Sequence, residues 1–245
     1  MDSGNIGFVL LCAAFVFVMT PGLAMFYGGL VRKKNVVNTM MTSIFIIGIG
    51  IVMWVLFGYS LSFAPSGNAF IGDFRWLGLE GVSLTEGYTD DASIPNMVFS
   101  AFQMMFAVIT PALITGAVAG RMKFKSIFVF TIFWSLIVYY PLAHMVWGQG
   151  GLLGADGIGA LDFAGGDVVH ISSGVSALVL CILLGKRHDY EHSIYRIHNI
   201  PTVVLGASLL MFGWFGFNAG SALAADGLAA HAFMTTGVSA AAAML

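Results

Sequence analysis

The stretch Asp162-Phe-Ala-Gly-Gly-Asp-Val-Val-His170-Ile-Ser-Ser-Gly174 opens an otherwise apolar segment that continues to Gly185-Lys-Arg187. The segment is long enough to cross a bilayer, because a membrane-spanning helix needs about 20 apolar residues. A histidine inside such a helix is costly unless it faces a bundle interior or a water-filled path. Its imidazole also exchanges a proton near neutral pH. The stretch predicts a membrane helix with a conduction path beside His170, although a neutral imidazole that bonds two helices together is the alternative.

The composition of the whole chain is typical of a membrane protein. Of its 245 residues, 58% are hydrophobic and 9% are charged, and the mean hydropathy is +0.91. A soluble domain carries about 25% charged residues. The net charge of −2 and the lack of a basic surface pattern argue against a nucleic-acid partner. We therefore expect an all-α, polytopic transmembrane helical bundle in the lipid bilayer, with no metal or other cofactor, since no His/Cys cluster has metal-binding spacing.

Further apolar runs predict the other spans. Six runs are long enough, at about 6–30, 38–63, 95–120, 126–146, 163–185 and 200–220, and a seventh extends from about 228 to 245. Their separators at 64–94 and 147–162 are predicted to be loops from their Pro, Gly, Asp and Ser content. We expect a single membrane domain over 1–245, incomplete at its end because the chain stops inside a hydrophobic segment.

The basic residues predict the orientation in the membrane. Nine of the ten lie on alternate loops, after the first, third and fifth spans, and only Arg75 lies on the other side. This pattern places those loops in the cytoplasm and the N-terminus outside, in the cell membrane. The acids of the long loop 64–94 would make the outer surface negative and concentrate a cation. They also fit a loop that is merely solvated.

Asp162 lies eight residues before His170, so the two are about 12 Å apart in depth if one helix holds both. Asp162 can accept the free N–H groups of the first helical turn, from about Ala164 to Gly166. Direct contact with a substrate is the other interpretation of this carboxylate.

Aromatic residues recur near the same end of three spans. Phe102 and Phe106 share a helix face, Trp147 lies just past the fourth span, and Gly213-Trp-Phe-Gly-Phe217-Asn-Ala-Gly-Ser221 ends the sixth. Trp near a membrane interface is often a belt residue. Aromatic faces also attract desolvating cations by about 0.5–2 kcal/mol. Because that is far less than the cost of moving a cation through hydrocarbon, a weak-base cation would cross by giving up its proton.

These motifs resemble those of the ammonium transporter (Amt/Mep/Rh) family, specifically its Amt branch. The resemblance covers essentially the whole chain. It rests on four ordered stretches: Pro21-Gly-Leu-Ala-Met-Phe-Tyr-Gly-Gly-Leu-Val-Arg32, Ala143-His-Met-Val-Trp-Gly148, the Asp162 to Arg187 segment, and Gly213 to Ser221. It implies a trimer with one pore per subunit, blocked in many members by a PII-type signalling protein at the cytoplasmic face.

The resemblance also implies a role for each matched residue. Trp147, Phe106 and Ser221 would recruit ammonium, and Phe106 and Phe217 would form the gate. His170 would be the first of two pore histidines that relay protons. Asp162 would shape the vestibule, and Phe102 and Trp214 would line the approach.

The family fold has eleven spans arranged as inverted repeats, with the path at the interface of the repeats. This sequence matches about seven of them, so the second pore histidine falls outside it, and we expect a fragment of a longer transporter. Neither Asn218 nor His231 lies in a motif that could replace that histidine.

Three classes of function are compatible with a polytopic bundle. The resemblance favours facilitated ammonium uptake, with ammonia and a proton conducted separately. An ammonium sensor without substantial flux is the alternative, which an output domain would identify. An intramembrane enzyme would need a nucleophile with a base or a metal cluster, and His170 has no such companions in sequence, so we expect no enzymatic activity.

Overall fold

The described residues fold into seven long helices joined by loops. The computed structural model describes residues 1–155, 157–187, 190, 194 and 196–245, and all regular structure in these ranges is helical. The helices are α1 (Ser3–Leu30), α2 (Lys33–Phe63), α3 (Asn96–Val118), α4 (Phe124–Trp147), α5 (Gly166–Leu184), α6 (Ile200–Gly220) and α7 (Gly227–Met244). The first six are long and apolar enough to cross a membrane. The chain is therefore an all-α, polytopic transmembrane bundle, as its composition predicted.

The helix bounds agree with the six predicted spans to within about five residues at each end. Two differences concern the site. Trp147 was predicted just past the fourth span but is the last residue of α4, and α5 begins at Gly166 rather than near 163. The seventh predicted segment forms α7. This helix is not among those of the described residues that are apolar enough to span, since its 18 residues include His231 and several hydroxyl side chains.

α3 is the central helix of the bundle. In its most apolar 18-residue stretch 72% of the residues are buried, against 22% for α5 and α6. α1, α2 and α5 pack against it. Side chains that α3 carries are therefore enclosed on several sides, and this position makes it the frame for Phe102 and Phe106.

α2 and α4 each contain a wider, π-helical turn. The turns span Trp54–Gly58 and Ser135–Tyr139. The Trp54 and Tyr140 rings meet where the two helices approach, with centroids 6.1 Å apart, and a Cβ on Gly58 would lie 2.7 Å from Tyr140 Cζ. Trp54 Nε1 also donates to the carbonyl of Ser100 on α3 at 3.2 Å. These contacts hold the start of α3 in place.

Glycines allow α1 and α6 to approach closely. A Cβ on Gly216 would lie 2.7 Å from Phe15 Cβ, and a Cβ on Gly220 would lie 2.6 Å from Cys12 Cβ. Small residues let helix backbones come together in lipid, where packing replaces the hydrophobic effect. A Cβ on Gly220 would also lie 2.7 Å from Phe102 Cε2, so these two glycines let the end of α6 pack against both α1 and α3.

The helix ends form two faces of the bundle, and one of them is basic. On the N-terminal face, Asp2 N–H donates to the Ser93 carbonyl at 2.8 Å and Ala225 N–H donates to Asn5 Oδ1 at 2.9 Å, which gathers the N-terminus, the long loop and the α6–α7 turn. The opposite, basic face contains a cavity of about 390 Å³ whose lining includes Arg32, Lys34, Arg121, Lys186 and Arg187. The alternating charge of the loops therefore corresponds to a real separation in space.

Candidate functional site

The helix ends on the N-terminal face surround a cavity of about 430 Å³, which we call the aromatic cavity. Residues near the ends of α3, α4 and α6 wall it, together with parts of the long loop and the segment before α5. Five of the residues predicted from the sequence line it: Phe102, Phe106, Trp147, Asp162 and Ser221. The other three, Trp214, Phe217 and His170, lie beyond Phe106.

Phe102, Phe106 and Trp147 form a cluster of rings in the wall of this cavity. Phe106 lies 4.9 Å from Phe102 and 6.0 Å from Trp147 between ring centroids, and both pairs meet edge to face. The Trp147 indole N–H donates to the Asp162 carbonyl at 2.9 Å, so its ring is fixed in orientation. Such a cluster of rings can attract a cation that has lost part of its water.

Phe106 and Phe217 close the floor of the aromatic cavity. Their ring centroids are 4.3 Å apart at an interplanar angle of 53°, and each side chain is only 1% exposed. The two rings therefore separate the aromatic cavity from Phe217's neighbours Trp214 and His170.

His170 lies on the far side of this floor. Its ring stacks on Trp214 with centroids 5.5 Å apart at 12°, and it lies 6.1 Å from Phe217. Trp214 and Phe217 are themselves 5.8 Å apart. Apart from these ring contacts, His170 is exposed. The rings thus form a continuous series from Trp147 through Phe106 and Phe217 to His170.

The Asp162 carboxylate organises the beginning of α5. Its Oδ1 accepts the N–H groups of Gly165 and Gly166, and its Oδ2 accepts those of Asp167 and Val168, at 2.5–3.0 Å. Gly165 has a φ of 96°, which glycine adopts without strain, and this turn directs the four N–H groups to one point. The predicted capping interaction is present, but its donors are Gly165 to Val168 rather than Ala164 to Gly166.

Ser221 follows the last residue of α6 at the wall of the aromatic cavity. Its hydroxyl donates to the Phe217 carbonyl at 2.8 Å. Because a hydroxyl has one donor and two lone pairs, this bond leaves the Ser221 oxygen able to accept from a solute in the cavity. No group of three or more His, Cys, Asp or Glu in the described ranges could hold a metal ion.

The sequence model of the Ammonium Transporter Family matches residues 7–245. The chain belongs to this family. It is 53% identical over 242 residues to an ammonium transporter of Bacillus subtilis, a match that covers 99% of this chain and 58% of the relative. All of the predicted site residues lie within the matched range.

Solved structures agree with this assignment. The crystal structure of Saccharomyces cerevisiae Mep2 superposes with a TM-score of 0.84 at 36% identity, over 96% of this chain and 52% of that one. A structure described as a sensor Amt protein also gives 0.84, at 28% identity, over 97% of this chain and 59% of that one. This family member therefore spans between half and two thirds of the length of these relatives.

Tyr88 and Gln103 are among the residues of the aromatic cavity that the sequence did not predict. Tyr88 of the long loop lies in the wall, stacked on Phe99 with centroids 4.8 Å apart at 5°. Burial raises its pKa to about 12, and its hydroxyl accepts the Gln149 N–H at 3.0 Å from outside the cavity. Gln103 of α3 also lines the cavity. Its position three residues before Phe106 was the available signal, whereas nothing in the loop sequence indicated Tyr88.

His144, in one of the quoted motifs, belongs to the frame rather than to the cavity. Its ring is fully buried, with Nδ1 3.1 Å from the Ser62 carbonyl and Nε2 2.8 Å from the Asn68 carbonyl. These contacts tie the last turn of α4, and hence Trp147, to the chain that leaves α2.

Proposed function

We propose that this protein transports ammonium by recruiting the cation in the aromatic cavity, removing its proton and conducting ammonia past the Phe106–Phe217 gate. Trp147 and Phe106 would attract the cation through their rings, and Ser221 would accept one of its N–H groups. Phe102 and Trp214 line the approach on the two sides of the gate. The continuous series of rings from the aromatic cavity to His170 is the observation that carries this proposal.

The free-energy cost of desolvating a charge favours a neutral species at the gate. Cation–π contacts contribute about 0.5–2 kcal/mol, whereas an unpaired charge in an apolar environment costs many times more. The Phe106 and Phe217 rings offer no polar group to replace hydration. Ammonium that gives its proton to water in the aromatic cavity would pass this constriction as ammonia, a small neutral molecule, and the proton would cross separately.

His170 is the group that we assign to the proton path. Its imidazole can exchange a proton near neutral pH, and it is the first ionisable side chain beyond the gate in the ring series. Asp162 would act on the vestibule through the backbone, because its carboxylate is already occupied by four N–H groups.

The surroundings of the site suggest its setting. We infer a multi-pass protein of the plasma membrane, with the N-terminal face outside and the basic face in the cytoplasm, because basic loops remain on the cytoplasmic side. Family membership supports a homotrimer and a PII-type signalling protein that docks on the basic face.

Solid-supported-membrane electrophysiology on the protein in liposomes tests the proposal. A step in ammonium concentration should produce a current, and His170→Ala should alter that current and its pH dependence while the protein still folds. Unchanged current in the variant at several pH values would remove His170 from the proton path. Absence of any ammonium-dependent current or uptake in the unmodified protein would contradict transport itself.

An ammonium sensor without substantial flux is the second candidate, which the similarity to the sensor Amt protein favours. In that case the aromatic cavity would bind ammonium but flux would be negligible. Binding of labelled methylammonium to purified protein, together with no uptake into liposomes, would select the sensor.

A further inference from the structure

Gln103 is a buried polar residue in the wall of the aromatic cavity. It lies on α3 one turn before Phe106, so the two side chains are on the same face of the helix. The side chain is only 8% exposed, yet it lines the cavity. A long polar side chain is rarely buried to this degree unless it is hydrogen-bonded.

The Gln103 amide oxygen has no hydrogen-bond partner within the described residues. Leaving a buried amide oxygen without a donor is unfavourable. Rotation about the last side-chain bond exchanges the oxygen and the nitrogen without changing the shape of the group. As placed, the oxygen has almost no accessible surface. In the exchanged orientation the NH₂ group takes that buried position and the oxygen takes the other, from which it can accept an N–H of a cation held in the cavity.

Aromatic rings alone do not explain a preference for ammonium. Cages of aromatic side chains recognise quaternary ammonium groups, which have no N–H donors. A site made only of Phe102, Phe106 and Trp147 would therefore accept methylated cations as readily as ammonium. Hydrogen-bond acceptors distinguish them, because each added methyl group removes one N–H, and a site built to bond that N–H rejects the analogue that lacks it.

We propose that Gln103 is a specificity-determining residue, whose amide oxygen accepts an N–H of the cation and selects ammonium over its methylated derivatives. It would act together with the Ser221 oxygen across the cavity. This inference rests on the proposed function, since it requires that the cavity hold a small nitrogenous cation.

The test is competition binding on the purified protein with labelled methylammonium, displaced by ammonium, dimethylammonium or tetramethylammonium. Gln103→Met keeps the length of the side chain and removes the acceptor. It should weaken ammonium about tenfold, which is the lower end of the effect of a hydrogen bond to a charged group. Tetramethylammonium, which cannot make this bond, should bind as before.

Two further variants separate specificity from structure. Gln103→Glu retains an acceptor and should keep the preference for ammonium over tetramethylammonium. Gln149→Met removes the other glutamine amide of the chain, which donates to the Tyr88 carbonyl at 2.8 Å from outside the aromatic cavity. It controls for a loosened cavity wall, so it should affect all four cations alike and leave that preference unchanged. Equal weakening of all four cations in Gln103→Met, or loss of the preference in a folded Gln103→Glu protein, would overturn the proposal.

Binding and flux fail in different ways. If the unmodified protein binds ammonium but shows no uptake, transport is refuted while the Gln103 comparison still decides specificity. If it binds none of the four cations, the assignment of Gln103 is refuted as well.

Discussion

The cap of α5 makes the most specific prediction about a single atom. In Asp162→Asn, one carboxylate oxygen becomes an NH₂ group, a donor that faces two backbone N–H donors. In the unmodified protein, the Asp162 carboxylate accepts four N–H groups at 2.5–3.0 Å. Two of them would lose their acceptor, and each hydrogen bond to a charged group contributes about 1.5 kcal/mol or more. We expect a loss of about 3 kcal/mol, or about 6–12 °C in the unfolding midpoint.

Thermal unfolding of the purified variant in detergent measures this effect. Asp226→Asn is the matched control, because Asp226 caps α7 through a single bond to the Ala229 N–H at 3.0 Å. Asn and Asp are about equal at ordinary helix N-termini, so this variant should shift the midpoint little. The displaced turn should also loosen Trp147, whose indole donates to the Asp162 carbonyl, and raise the ammonium concentration for half-maximal uptake. Equal midpoints for the two variants would refute the four-fold cap.

Three further predictions concern other parts of the bundle. Trp147→Leu should raise the ammonium concentration for half-maximal uptake by about 2- to 30-fold, the equivalent of one cation–π contact, and should affect the passage of neutral ammonia less. An equal loss of ammonium uptake and ammonia passage would indicate a membrane-belt residue. Gly206→Ala should destabilise the fold by about 1–3 kcal/mol, because a Cβ there would clash with the α1 backbone. Gly48→Ala is the control and should not destabilise the fold, since open space surrounds that position. Similar unfolding midpoints for the two variants would contradict the close packing of α1 and α6. Burial raises the pKa of Tyr88 from 10.0 to about 12, so its contribution to stability is complete below pH 10 and is lost as the pH rises towards 12. Tyr88→Phe should therefore lose less stability than the unmodified protein over this interval. An equal fall of the unfolding midpoint with pH in the two proteins would contradict this.

The helices could be predicted because the signal is strong and local. An uninterrupted apolar run of about 20 residues has few alternatives to a membrane helix, and α6 has the predicted bounds of 200–220. The π-helical turns at Trp54–Gly58 and Ser135–Tyr139 could not be predicted in this way. They depend on how α2 and α4 meet at Tyr140, which is a tertiary contact with no periodic signature.

Residues of the candidate site that lie in sequence motifs could be predicted. Phe106, Trp147 and Ser221 come from three distant segments, and the structure brings them to one cavity. Tyr88 was not predictable, since its position depends on a long irregular loop folding over Phe99. Gln103 was visible in the sequence, but its importance depends on burial and on an amide oxygen without a partner, which only the packed structure reveals.

The proposed mechanism requires that a cation bind in the aromatic cavity before ammonia crosses the gate. The most direct measurement is the current recorded on a solid-supported membrane as a function of ammonium concentration, for the protein in liposomes. We expect an ammonium-dependent current that saturates, because a finite number of sites is filled, and that saturates at a higher concentration in Trp147→Leu. A flux that rises linearly with concentration and is the same in both proteins would contradict it.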